Sequence, residues 1–141
     1  MDNLPTHDLD AEEAVLGSCL IDPQAMKGAA SILVPLMFYR EKYQWIFAAC
    51  LKLYNNHKAD TDMPVNQVTV IYELRHSKYS KAFGDDQILA AFISECIRLT
   101  PTTIAIKHFC QIVKVCYEQR QTQAGIKKPV SPLRHISRIE L

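Results

Sequence analysis

Apolar residues recur with the period of an α-helix in nearly every segment of this chain, and this pattern constrains the fold more than any other feature. A stripe that is apolar at a turn of about 100° per residue is buried by packing helix against helix. The helical stretches are separated by breaks such as Asp22-Pro23, Val34-Pro35 and Thr100-Pro101. We therefore predict an all-α fold, a small bundle of five to six helices with no sheet.

Residues that cap or stop helices divide this pattern into six predicted helices. The helices are predicted over residues 9–21, 22–33, 41–54, 66–74, 86–98 and 103–123. The side chains predicted to cap N-termini are Asp8 or Asp10, Asp22, Asn66, and Thr102 or Thr103. Residues 55–64 and 76–86 are polar and are predicted to be loops. The first helix is apolar on more than one side, which predicts that it is buried between neighbours.

The sixth predicted helix carries more apolar surface than contact with one body requires. Its apolar residues cover an arc about 160° wide at the helical period. They are Phe109, Cys110, Ile112, Val113, Cys116 and Tyr117. A helix that rests on one body usually needs a narrower stripe. The excess indicates a second surface that could bury part of this helix.

Trp45 departs from the apolar face of the third predicted helix, because at the helical period it falls nearly opposite that face, beside Lys52. One interpretation is that its ring packs against the second helix of the same chain. The other is that it anchors a partner protein, because tryptophan is enriched at the energetic centres of protein interfaces. The sequence leaves both interpretations open.

Charge is distributed unevenly along the chain. Residues 1–26 carry six acids and no base, whereas residues 107–141 carry seven bases against two acids. We predict a helical domain over residues 1–123 and an irregular, proline-containing basic segment over residues 124–141. The candidate basic contacts are Lys127, Lys128, Arg134 and Arg138. They indicate contact with nucleic acid or an acidic protein, or alternatively a solvated end.

The four glycines exclude two common nucleotide-binding loops. Their spacings are 11, 56 and 41 residues, whereas a Walker A loop or a dinucleotide fingerprint places at least two glycines within about six residues. The histidines lie in different segments without the spacing of a zinc site, and no nucleophile elbow is present. We therefore predict no catalytic residue, no cofactor, no metal site and no enzymatic activity for this chain alone.

The cysteines and the N-terminus bear on the cellular compartment. Five cysteines are scattered through apolar stretches and form no CxxC pair, which indicates reduced, buried thiols. No apolar run is long enough for a membrane span, and the acidic N-terminus lacks the basic start of a secretory signal. These features predict a cytoplasmic protein without membrane contact.

Four segments in collinear order resemble the N-terminal domain of DnaB-type replicative DNA helicases. They are residues 4–22, 38–53, 64–74 and 100–121. The residues that carry the likeness are Asp10, Ala11, Glu12, Val15, Leu16, Gly17, Phe38, Tyr39, Ile46, Phe47, Leu51, Pro64, Val65, Val68, Thr69, Leu74, Pro101, Ile106, Phe109, Ile112, Val113 and Arg120. The chain departs from the residues common in the family at Tyr43, Asn66 and Ala105. The second arm of the family's helical hairpin and its ATPase domain are also missing.

The resemblance implies a non-catalytic body whose long last helix corresponds to the first arm of the hairpin. In the family, hairpins pair between subunits into a collar over the ATPase ring, and the collar contacts primase and, in some systems, helicase loaders. For this chain it implies weak pairing with itself or with a full-length replicative helicase. The interface candidates are Phe109, Val113, Cys116, Tyr117, Arg120 and Trp45. We expect Phe109 and Cys110 to pack on the body and Tyr117 and Arg120 to lie outwards.

Two other functions stay open beside this scaffold role. One is a stand-alone phage or mobile-element protein that regulates a host helicase by mimicking its collar. The other is a nucleic-acid-binding module that uses residues 124–141, for which DNA binding would depend strongly on salt.

Overall fold

The computed structural model describes residues 6–58, 64–100 and 102–124, and within these residues every regular element is helical. The α-helices are α1 (Leu9–Ile21), α2 (Pro23–Ile32), α3 (Glu41–Lys58), α4 (Gln67–Arg75), α5 (Asp86–Arg98) and α6 (Ile106–Gln123). Short 3₁₀ turns at Pro35–Met37 and Ser80–Phe83 precede α3 and α5. The predicted all-α fold of five to six helices is confirmed.

Helix α1 lies at the centre of the bundle and contacts α2, α3, α5 and α6. Its residues Ala11, Glu12 and Ala14 to Leu20 are all buried. The prediction of a first helix buried between neighbours is therefore confirmed. Because α5 and α6 both pack on α1, this helix determines where the last helix of the domain lies.

Three of the predicted N-terminal caps are present. The Asp8 carboxylate accepts a hydrogen bond from Ala11 N at 3.0 Å, so Asp8 rather than Asp10 caps α1. The Asp22 carboxylate accepts from Gln24 N at 2.9 Å. Asn66 and Thr69 form a reciprocal capping box, in which each side chain accepts from the backbone N–H of the other at 3.0 Å. These caps satisfy N–H groups that have no partner inside the helix.

Replacing Asn66 by alanine is expected to lower the free energy of unfolding by about 1 kcal/mol, because the Thr69 N–H loses its acceptor. Urea unfolding followed by circular dichroism measures the change. Asn55→Ala, on the exposed surface of α3, is the matched control and is expected to leave stability unchanged or slightly higher. An equal loss in both variants would contradict the assigned cap.

Two predicted helix boundaries are wrong. Helix α6 begins at Ile106 and its N-cap, Ala105, makes no side-chain capping bond. Thr102 does not cap it, because its hydroxyl oxygen accepts from Ile104 N at 3.2 Å and so stabilises the turn before the helix. Helix α3 continues to Lys58, four residues into the predicted loop, because no proline or glycine interrupts it before Pro64.

Most of the predicted basic segment lies outside the described residues, which end at Ala124. Among the described helices, none combines the length and apolar character needed to cross a membrane.

Candidate interaction surface on the sixth helix

Helix α6 packs on α1, α2 and the 3₁₀ turn at Pro35–Met37 through one narrow stripe. The buried residues of this stripe are Ile106, Cys110, Val113 and Tyr117. They follow one another at intervals of three or four residues, so they lie on one side of the helix. The body of the domain therefore supports α6 along most of its length.

Tyr117 is 3% exposed and Val113 is 1% exposed, so both are core residues of this chain. The expectation that Tyr117 lies outwards is wrong, because it stands seven residues after Cys110 and shares its buried side of the helix. Cys110 packs on the body as expected. Phe109 also packs against the core as expected, although it is only half-buried.

A second apolar stripe on α6 is half-buried and consists of Phe109, Ile112 and Cys116. Phe109 and Ile112 line a groove of about 300 Å³ between α1 and α6, together with Ala11, Ala14 and Leu99. Leu99 is 44% exposed. The wide apolar arc predicted for α6 is thus divided between a buried stripe and this partly open one.

The rim of this α1–α6 groove is acidic. Asp8, Asp10 and Glu13 line it from α1 and the residue before it. One carboxylate oxygen of Asp8 caps α1, and Glu13 accepts a hydrogen bond from the Tyr43 hydroxyl at 3.1 Å. None of the three acids forms a salt bridge with another residue in the part of the chain that the structure describes. The groove thus combines an apolar floor with an acidic rim, in which Glu13 also interacts electrostatically with Arg98 outside salt-bridge distance.

Arg120 does not face outwards, so this expectation is also wrong. Its guanidinium donates to the carbonyl oxygens of Thr6 at 2.9 Å and Met37 at 2.7 Å. The same group lies over the rings of Tyr39 and Tyr117, at 5.4 and 5.8 Å from their centroids. Arg120 therefore joins the end of α6 to the N-terminal residues and to the 3₁₀ turn of its own chain.

Glu12 is a buried carboxylate beside Arg120, and in the sequence it was identified only as one of the residues that carry the family likeness. It is 1% exposed and accepts hydrogen bonds from Tyr39 N at 2.8 Å and Arg40 N at 3.4 Å. Burial raises the pKa of Glu12, although the two N–H groups and the charge of Arg120 oppose the shift. Burial likewise lowers the pKa of Arg120, and Glu12 opposes that shift. The sequence signal for this site was the family likeness carried by Glu12, Tyr39 and Arg120, which does not by itself show that the three residues meet.

Trp45 is half-buried and packs against its own chain, but not in the predicted place. Its ring stacks on Tyr79 with centroids 4.8 Å apart and meets the edge of Phe83 at 5.7 Å. Both partners belong to the connection between α4 and α5, so the interpretation that Trp45 packs against α2 is wrong. Its role as an anchor for a partner stays a prediction, as do contacts through Lys127, Lys128, Arg134 and Arg138, which lie outside the described residues.

The cysteines behave as core residues. All five thiols are free, and Cys19, Cys50, Cys96 and Cys110 are buried, whereas Cys116 is half-buried. Burial raises the pKa of Cys50 and of Cys110 to about 12, which keeps these thiols protonated. No group of three potential metal ligands is formed among the described residues.

Comparison with known proteins places this geometry in a family. The model of the DnaB-like helicase N-terminal domain matches residues 4–115. The replicative DNA helicase DnaB of Geobacillus stearothermophilus is 34% identical over 113 residues, and the replicative DNA helicase DnaC of Bacillus subtilis is 32% identical over 113 residues. In both cases the match covers 80% of this chain and 23% of the helicase.

The fold agrees with the same assignment. The crystal structure of the N-terminal domain of DnaB helicase from Mycobacterium tuberculosis is similar with a TM-score of 0.76 and 26% identity, covering 95% of this chain and 96% of that one. The resemblance carried by the four sequence segments is thus confirmed. The chain belongs to the family of DnaB-like helicase N-terminal domains.

Proposed function

We propose that this chain is a non-catalytic scaffold domain of DNA replication, which pairs through α6 with a second copy or with the N-terminal domain of a full-length replicative helicase. The half-buried stripe of Phe109, Ile112 and Cys116 carries the proposal. Primase or a helicase loader is the further class of partner, and the protein acts in the cytoplasm. Regulation of a host helicase is the alternative outcome of the same pairing.

The physical support is the incomplete burial of α6. The body covers the buried stripe almost completely but covers the half-buried stripe only in part. Val115, beside the half-buried stripe, is 45% exposed. Apolar side chains left partly in water gain free energy when a second surface covers them, at roughly 25 cal/mol per Å². Because the body already buries Ile106, Cys110, Val113 and Tyr117, and partly covers the second stripe, the surface left for a partner is small. We therefore expect weak, concentration-dependent pairing.

Val115→Asp is expected to raise the dissociation constant for pairing at least about tenfold, because an interface would bury the new charge without a partner. Sedimentation velocity across a wide range of concentrations measures the equilibrium. Val68→Asp is the matched control, because Val68 is 75% exposed on α4, away from α6, and its replacement leaves pairing unchanged.

Two results would contradict this proposal. One is a wild-type chain that stays monomeric at every concentration and does not bind a full-length helicase of the family. The other is an equal effect of Val115→Asp and Val68→Asp. Tyr117→Asp is unsuitable for this test, because a charge in the core would unfold the domain and so abolish pairing indirectly.

A further inference from the structure

The α1–α6 groove has the chemistry of a site for a basic, partly apolar segment. Leu99, Phe109 and Ile112 line its apolar floor, and Asp8, Asp10 and Glu13 form its rim. An apolar side chain in the groove would remove the half-exposed floor from water. Lysine or arginine side chains beside it could form salt bridges with the acids of the rim. None of these acids forms a salt bridge with another described residue.

We propose that this groove is occupied by the chain's own basic segment, residues 127–138. The segment contains Lys127, Lys128, Arg134 and Arg138 and no acid. Between these bases lie Val130, Leu133 and Ile136. It therefore pairs a cationic character with apolar side chains, which is the complement of the groove.

The residues that follow α6 are close enough to the groove for this contact to form within one chain. Gln123, the last residue of α6, exchanges two hydrogen bonds with Thr6, at 3.1 and 2.8 Å, and Thr6 is two residues before Asp8 on the rim. Ile112 lies eleven residues before Gln123 on α6, or about 16 Å along the helix axis. Residues 125–134 can span about 33 Å when extended, so the segment reaches the whole groove.

Tethering sets the strength of the contact. A short connection gives an effective concentration in the millimolar range, so even a weak site is substantially filled. The contact is largely electrostatic at the rim and weakens as salt rises. This inference concerns one chain alone and does not depend on the proposed pairing.

Methyl NMR on the full chain tests the proposal, with the signals of Leu99 and Ile112 as reporters of the groove. The test variant carries Lys128→Glu, Arg134→Glu and Arg138→Glu. The matched control carries Lys27→Glu, Lys78→Glu and Lys81→Glu, three exposed lysines outside the groove. We expect the test variant to shift both reporters, whereas the control leaves them in place.

The response of the two methyl reporters to salt and to dilution identifies what occupies the groove. Raising the salt from about 0.1 M to about 1 M shortens the Debye length from about 10 Å to about 3 Å, so the wild-type reporters move towards those of the test variant. Tenfold dilution leaves them unchanged if the contact is within one chain. Asp10→Lys, which removes an exposed acid of the rim, is expected to reproduce part of the shift.

Three results would overturn the proposal. Reporters that are identical in wild type and test variant would show that the segment does not reach the groove. Reporters that move with protein concentration would assign the groove to a second copy. Unmoved reporters together with salt-dependent binding of a duplex DNA probe, lost in the test variant, would assign the bases to nucleic acid. The shifts persist in Val115→Asp, so a failure of the proposed pairing is distinguishable from a failure of this contact.

Discussion

Gly17→Ala is expected to lower the free energy of unfolding by about 3 kcal/mol, although alanine is the better helix former. A Cβ at this position would overlap the Thr100 hydroxyl and the carbonyl oxygen of Cys96. The Thr100 hydroxyl donates to that same carbonyl at 2.8 Å, so neither group is free to retreat. The close packing of α1 and α5 therefore requires a residue without a side chain.

Gly28→Ala in α2 is the matched control for this prediction. The nearest atom to a Cβ at Gly28 is a methyl carbon of Ile106 at 3.9 Å, an ordinary contact. Alanine is expected to raise stability there by up to about 1 kcal/mol, because it lowers the entropy of the unfolded chain. Urea unfolding of both variants measures the change in the free energy of unfolding. A change of the same sign in both variants would contradict the close approach of α5 to Gly17. Adding Thr100→Ala to Gly17→Ala is expected to restore part of the loss.

Glu12→Leu is expected to lower the free energy of unfolding by about 3 kcal/mol, because it leaves buried donors without an acceptor. The N–H groups of Tyr39 and Arg40 lose their carboxylate partner. The half-buried Arg120 also loses the negative charge beside it. Glu41→Leu, at an exposed position in the first turn of α3, is the control and is expected to cost less than about 1 kcal/mol. Comparable losses in the two variants would contradict the role of Glu12.

The pH dependence of stability provides an independent measurement at the same site. Burial raises the pKa of Glu12 above its ordinary value of 4.5, so the folded state binds this proton more tightly than the unfolded state. The contribution of Glu12 is therefore complete below that value and declines as the pH rises through the raised pKa. The stability of the wild type relative to Glu12→Gln is expected to fall as the pH rises from about 4.5 through the raised pKa. A difference that rises over this range would contradict the assignment.

Several parts of the fold follow from short stretches of sequence. Asp22 with Pro23 and Asn66 with Thr69 place the starts of α2 and α4, because a cap and its helix N-terminus are only a few residues apart. The apolar composition of α1 on several sides predicts its burial, because only a helix enclosed by neighbours can bury all its faces. The N-cap predicted from nearby residues was wrong at α6, because Thr102 stabilises a turn instead of capping the helix.

The amino-acid sequence by itself determined the helical class, most of the helices and the family, because periodicity, caps and motifs are properties of nearby residues. Only the tertiary structure decided which side of α6 is buried and what its polar residues do. Arg120 turns inwards because carbonyl oxygens of Thr6 and Met37, 114 and 83 residues away along the chain, converge on it. Trp45 likewise packs on Tyr79, which follows α4 and is 34 residues away along the chain. Helical periodicity identifies an apolar face, but only the packed neighbours determine whether the chain itself or a partner covers it.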